Sequence, residues 1–395
     1  MQSGVTFSKG FTADGVACGI KNNSDNDLAV IICEKGAKAA GVFTQNVIKG
    51  HSLKLSRQNI QNGIAKAVVI NSGNANACLA ERGDADALKF AQLSADAFGC
   101  NPAEVLPAST GVIGKPLPLN LISAGLSKIS PTIDGGLAAA QAIMTTDTKP
   151  KQAEVGFLLG GKQVHIGGMA KGSGMVHPNM ATMISVITTD ANISTQTLKL
   201  ALKTVCEVSF NRISIDGDTS VCDEVLLLSS CMADNEYIKP ATFQFSIFVD
   251  ALKVVCIRLA KMLAADGEGA TKLITVKVSG TKTNDDAHKI ASAITKSPLC
   301  KTAAFGNDAN WGRIITAVGY SGASFDPLTV DIFIGDLQVC KNGGGLPFSE
   351  AKALNILKKK EVVYTINVGS GKGSDTMYTC DFSHDYISIN ADYRT

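Results

Sequence analysis

The stretch AKGSGMVHPNMATMISVITTD, Ala170 to Asp190, decides how this chain is read. Glycines at 172 and 174 and a lone His177 precede Ala181-Thr182, and the apolar run Met183-Ile184-Ser185-Val186-Ile187 follows. One reading is a loop feeding a buried strand, with Thr182 an ordinary buried residue. The other makes Thr182 a nucleophile. A threonine hydroxyl is a weak nucleophile and needs a base beside it. Two bases are at hand: His177, and the α-amine that Thr182 gains if the Ala181–Thr182 bond is cut. The small residues at 172–174 let the backbone bend tightly, and Ala181 leaves its carbonyl accessible to the hydroxyl. An α-amine has a pKa of about 8, so roughly a tenth of it is neutral and able to act as a base near pH 7. The β-methyl restricts χ1 and aims the hydroxyl.

Working outward, the pattern is α/β. Asp27–Cys33, Ala39–Thr44 and Lys66–Asn71 read as strands, as do Met183–Thr188, Glu224–Ser230, Leu273–Val278, Thr329–Ile334, Val362–Val368, Thr376–Phe382 and Tyr386–Ile389. Helical spacing covers Gly83–Phe98, Leu119–Ile129, Gly136–Met144, Thr195–Phe210 and Ala241–Ala265, and Thr148–Gln152 reads as a surface connection. Mixed sheets layered with helices follow from this alternation, but the topology does not.

Composition narrows the function. With 395 residues and a formal net charge of +2, the chain has ample length for a large core and no basic run of the kind that binds nucleic acid. No apolar stretch approaches membrane-spanning length, so no membrane partner is expected and a cytosolic location is. The 11 cysteines are scattered singly, with no CxxC pair and no Cys/His cluster, which predicts reduced thiols and no metal. VGSGKGSDT (Val368–Thr376) is followed by strand-like MYTCDF and reads as a turn rather than a dinucleotide loop. His51, His165, His288 and His384 stand singly and read as ordinary surface or core residues.

KGSGMVHPNMATM resembles the cleavage and nucleophile motif of the ornithine acetyltransferase family, the bifunctional glutamate N-acetyltransferases of arginine biosynthesis. NSGNANAC (Asn71–Cys78), PASTGVIG (Pro107–Gly114), AIMTTDTKPK (Ala142–Lys151), GGMAKGSGM (Gly167–Met175), DGDTS (Asp216–Ser220), GEGATK (Gly267–Lys272), GNDANWGRI (Gly306–Ile314) and INADYRT (Ile389–Thr395) extend the likeness along nearly the whole chain. The resemblance implies an N-terminal-nucleophile type of fold that cleaves itself between Ala181 and Thr182. Residues 1–181 become one chain and 182–395 the other, both within one intertwined unit, and pairs assemble as an α2β2 heterotetramer. It implies acetyl transfer from N2-acetylornithine to glutamate through acetyl-Thr182, with no cofactor. Family members differ in whether acetyl-CoA also serves as donor, and no residue here decides it.

By the same resemblance, Thr110 and Gly111 form the oxyanion hole, and Thr145, Lys171, Thr182, Glu268, Asn390 and Thr395 contact substrate. Taken singly, the STG sequence is a simple turn, Lys171 a solvated lysine and Glu268 an exposed loop acid. The family pattern gives His177 no catalytic part. The chain departs from that pattern after DGDTS, where Val221-Cys222-Asp223 stands in place of Thr-Asn-Asp, which puts polar contacts from 221 and 222 in doubt. Two alternatives remain. One is a threonine-nucleophile amidohydrolase or aminopeptidase using water as acceptor. The other is a binding or structural protein in which Thr182 is core, which a single full-length band on a denaturing gel would favour.

Overall fold

Strand Leu28–Phe43 organises the first half of the molecule. Leu28, Val30 and Ile32 face one hydrophobic cluster and Ala29, Ile31 and Cys33 the other, so the strand is buried on both faces. The computed structural model describes residues 3–177 and 183–392. Among these, an eight-stranded sheet runs in the order Val105–Val112, Ile64–Asn74, Leu28–Phe43, Glu224–Ser229, Ile184–Thr189, Lys162–Lys171 and Lys151–Leu159, with Thr12–Val16 paired to Leu28–Phe43. The two central strands, Ile184–Thr189 and Glu224–Ser229, run parallel and are buried at every residue. Their apolar, β-branched runs suit a position covered on both sides.

Helices His51–Asn59, Ala80–Phe98 and Leu119–Leu126 cover one part of this sheet. Thr195–Cys206 and Phe243–Ala265 cover another. The long helix Phe243–Ala265 also packs on a second, seven-stranded sheet built around Leu273–Gly280, Glu361–Asn367 and Gly371–Cys380. Both sheets mix parallel and antiparallel pairs. Helix starts follow local chemistry: Ser194, Thr242, Thr283 and Ser297 each accept a backbone N–H in the first turn of the helix that follows. Gly99 ends Ala80–Phe98 in the left-handed conformation.

Several expectations need correction. Asp27–Cys33 and Ala39–Thr44 are one strand, Leu28–Phe43, with a register irregularity between Ile32 and Ala37. Tyr386–Ile389 lies in a helix, His384–Asp392. Its apolar residues read as a strand, but among the described residues no strand pairs with it. The Asn390 amide donates to the Tyr386 carbonyl at 2.9 Å, and the Tyr386 ring stacks on Phe382, both at helical spacing. Thr195–Phe210 stops as an α-helix at Cys206, and Leu119–Ile129 stops at Leu126. Thr148–Gln152 is only partly a surface connection, because Lys151 is 2% exposed and begins a strand. The cysteines are free thiols, most of them buried. Among the described residues, no helix is long and apolar enough to cross a membrane.

Candidate active site

A cavity of about 150 Å³ opens where strands Val105–Val112 and Lys162–Lys171 end and Ile184–Thr189 and Glu224–Ser229 begin. Its lining brings together Thr110, Gly111, Thr145, Lys171, Glu268 and Asn390, which are far apart in sequence. Met183 and Ile184 also line it. Ala181, Thr182 and Thr395 lie outside the described residues.

Gly111 is demanded by backbone geometry. Its φ is +129°, and a Cβ there would sit 2.4 Å from the Gly73 carbonyl carbon. The neighbouring turn is shaped by the asparagines of Asn71–Cys78. Asn71 donates to the Asn74 carbonyl at 2.8 Å, and Asn74 donates to the carbonyls of Lys115 at 3.1 Å and Pro116 at 2.9 Å.

Lys171 is 8% exposed, not the solvated lysine that its sequence setting alone suggests. Its Nζ donates to Thr145 Oγ1 at 2.6 Å and lies 3.5 Å from Thr110 Oγ1. An ammonium only donates, so the Thr110 hydroxyl proton stays available to another acceptor. Burial pulls the Lys171 pKa down, opposed by the attraction of Asp147. Asp147, which sequence reasoning gave no role, anchors this corner. It accepts from Lys151 Nζ at 2.6 Å, Gly172 N–H at 2.7 Å and Thr145 N–H at 3.0 Å, and stands 4.0 Å from Lys171 Nζ. Burial opposes its ionisation, but Lys171 and Lys151 outweigh burial and hold its carboxyl at about 2. No periodicity announces it, because Asp147 lies in an irregular segment and Lys151 begins a strand.

Glu268 is 6% exposed, which removes the exposed-loop-acid reading. Gly174 makes room for it, since a Cβ at 174 would meet the Glu268 carboxylate at 2.3 Å. The Glu268 N–H donates to the Ser173 carbonyl at 2.8 Å, and Asn390 Nδ2 donates to its Oε2 at 2.8 Å. Among the described residues it has no ion-pair partner, so its charge is open to a cationic ligand. The loop that carries it is pinned to the segment before the last helix. Thr271 N–H donates to Asp381 at 2.8 Å, and Ser383 Oγ donates to the Gly269 carbonyl at 2.6 Å.

Asp216, Asp218 and Asp223 also line the cavity, and Glu224 follows the last of them in the chain. Asp216 accepts the N–H groups of Met175 and Val176, fixing the chain just before His177, and burial raises its pKa. Asp223 lines the cavity and is pushed well above the usual carboxylate range by burial. Glu224 donates its N–H to the Met183 carbonyl at 2.9 Å, while burial raises its carboxyl to about 8. A neutral acid is tolerable on that central strand, and no sequence pattern announces it. His177 is absent from the cavity lining, and burial, helped by Lys296 and His288, holds its imidazole at about 4.

The ArgJ family profile matches residues 12–395. The chain belongs to the ArgJ family. The arginine biosynthesis bifunctional protein ArgJ of Symbiobacterium thermophilum is 48% identical over 399 residues, covering 100% of this chain and 99% of that protein. The protein of the same name from Bacillus subtilis is 44% identical over 392 residues, covering 99% and 96%. A crystal structure of arginine biosynthesis bifunctional protein argJ from Bacillus halodurans aligns with TM-score 0.51 at 43% identity, over 52% of this chain and 97% of that chain. Family membership thus agrees with the resemblance first carried by the residues around Thr182.

Proposed function

We propose that this member of the ArgJ family is a glutamate N-acetyltransferase that moves acetyl from N2-acetyl-L-ornithine to L-glutamate in arginine biosynthesis. The observation that carries the reading is the convergence of Thr110, Gly111, Thr145, Lys171, Glu268 and Asn390 on one cavity that Met183 also lines. In this reading the chain first cuts itself between Ala181 and Thr182, leaving residues 1–181 and 182–395 in one folded unit. Support comes from the solved Bacillus halodurans chain, which corresponds to only 52% of this one, close to the share of residues 182–395. The enzyme works in the cytosol as an α2β2 assembly, and Thr395 joins the substrate contacts.

Thr182 Oγ attacks the acetyl carbon, and its α-amine takes the hydroxyl proton. The oxyanion is stabilised by the Thr110 hydroxyl and the Gly111 N–H. As the C–N bond breaks, the proton passes to the leaving amine and ornithine departs. The neutral glutamate amine then attacks the ester carbonyl, the Thr182 α-amine takes its proton and returns it to Thr182 Oγ as the C–O bond breaks, and N-acetylglutamate forms. Lys171 holds Thr110 and Thr145 in place. Glu268 meets the ammonium of ornithine, the right partner for a buried, cation-free carboxylate.

Intact-mass measurement followed by incubation with acetylornithine and glutamate tests the reading. Two polypeptides, the second beginning TMISVITTD, and formation of N-acetylglutamate are expected. Free acetate without acetylglutamate would instead favour the amidohydrolase. Thr110→Ala is expected to lower turnover by ~10²–10³ with little change in KM, because an oxyanion donor acts on the transition state. A change confined to KM would make Thr110 a substrate-positioning residue.

Glu268→Gln keeps the shape and loses the charge. Loss of one member of a sequestered pair costs ~2–5 kcal/mol in transfer from acetylornithine. Self-cleavage, which involves no ornithine, persists. The check is the preference for acetylornithine over an acetylated neutral amino acid of similar length. The variant should lose most of it, and an unchanged preference would remove Glu268 from the donor pocket.

A further inference from the structure

One part of the cavity lining is apolar. Ala75, Ile113, Val221 and Cys222 line it and, with Ala77, form a hydrophobic cluster separate from the large cores. Its member Ile113 stands two residues beyond Gly111, and Cys222 two residues before Glu224, whose N–H donates to the Met183 carbonyl. Its polar groups are occupied. Gly50 N–H donates to the Val221 carbonyl at 2.9 Å, Ala75 N–H to the Val112 carbonyl at 3.0 Å, and the Cys222 thiol to the Ala75 carbonyl at 3.4 Å. Burial raises the Cys222 pKa, so the thiol stays protonated and presents a soft apolar surface.

The charged and hydroxyl groups of the cavity suit the ammonium and carboxylate ends of an amino acid. The three methylenes of ornithine and the acyl group are the apolar parts of the substrate, and the acyl group is the one bonded to the carbonyl assigned to Gly111, two residues from Ile113 of the wall. We propose that Ala75, Ile113, Val221 and Cys222 form the acyl subsite, and that this subsite admits an acyl group one methylene longer than acetyl. The proposal rests on the acetyl-transfer reading above. Its physical basis lies at positions 221 and 222, where this sequence places valine and cysteine against the cavity. A hydroxyl and an amide at 221 and 222 would be desolvated by an extra methylene, at a cost that valine and cysteine do not incur.

The test measures kcat/KM for glutamate acetylation and propionylation, with N2-acetylornithine and N2-propionylornithine as donors. The wild type is expected to use the propionyl donor within about tenfold of the acetyl donor, at or below the low end of the roughly 10–200-fold that one methylene is worth in a pocket that does not fit it. Val221→Thr, which keeps the shape and adds a hydroxyl, and Cys222→Leu, which fills the wall, should each lower the propionyl-to-acetyl ratio by about tenfold or more. Val221→Thr keeps the test valid should Cys222→Leu fail to fold. Acetyl transfer with an unchanged ratio in the folded variants, or a wild type that rejects propionyl by more than about tenfold, overturns the acyl wall alone. A wild type that transfers no acetyl from acetylornithine overturns the reaction assignment instead.

Discussion

Thr182→Ala is expected to yield a single uncleaved polypeptide of 41.1 kDa with no measurable acetyl transfer. The substitution removes the hydroxyl that attacks the Ala181 carbonyl, and with it the group that carries the acetyl. Loss of a nucleophile lowers turnover by about 10⁴-fold or more. Thr182→Ser retains part of both activities, because the hydroxyl survives while the χ1 restriction is lost. Intact mass and an acetylglutamate assay read both effects. Two fragments or full turnover from the Ala variant would eliminate the covalent mechanism. His177→Ala provides the contrast. With its imidazole held at about 4 and outside the cavity lining, His177 should be dispensable for turnover. A collapse in turnover with cleavage intact would move the base role to it.

Asp147→Asn is expected to destabilise the protein by about 3–5 kcal/mol, the cost of breaking a buried charge pair from one side. Lys151 keeps Asp266 at 2.6 Å, but Lys171 loses the carboxylate 4.0 Å away and stays buried. The effect depends on pH. The Asp147 carboxyl titrates near 2 in the fold, against about 3.9 in an unfolded chain. A depressed carboxyl contributes stability in full above the unfolded value and loses it as pH falls through the folded one. The wild type should therefore lose this contribution between about pH 4 and pH 2, and the variant should lack that part of the slope. Urea unfolding at pH 7 and across the acid range reads both. A loss below about 0.5 kcal/mol at pH 7 would place Asp147 with ordinary surface residues.

Where an element was legible, the signal was local; Val105–Val112, Lys162–Lys171 and the helices between Asn284 and Gly319 were not read from it. Runs such as Val225–Leu228 declare a strand buried on both faces, and the stripe Phe248, Leu252, Val255 and Leu259 declares a helix whose buried side reaches the core. The family was legible from motifs such as KGSGMVHPNMATM, and the candidate residues followed from them one by one. Tyr386–Ile389 misled because alternating apolar residues carry no information about whether a partner strand exists, and here a helical end with Ser383 and Asn390 contacts takes its place. Lys151, Lys171 and Glu268 misled when taken singly, because a charged residue is read as solvated unless its partner is known.

By itself, then, the sequence determined the α/β class, a number of its strands and helices, and the candidate nucleophile, all set by neighbours along the chain. Burial of Lys151, Lys171, Asp147, Glu224 and Glu268 was decided only in the tertiary structure. A buried charge persists only where an opposite charge or hydrogen bonds from distant segments meet it, and a carboxyl without them keeps its proton. Asp147 finds Lys171 and the Gly172 N–H, Lys151 finds Asp266, and Glu268 finds Asn390, across separations that no periodicity in the chain encodes.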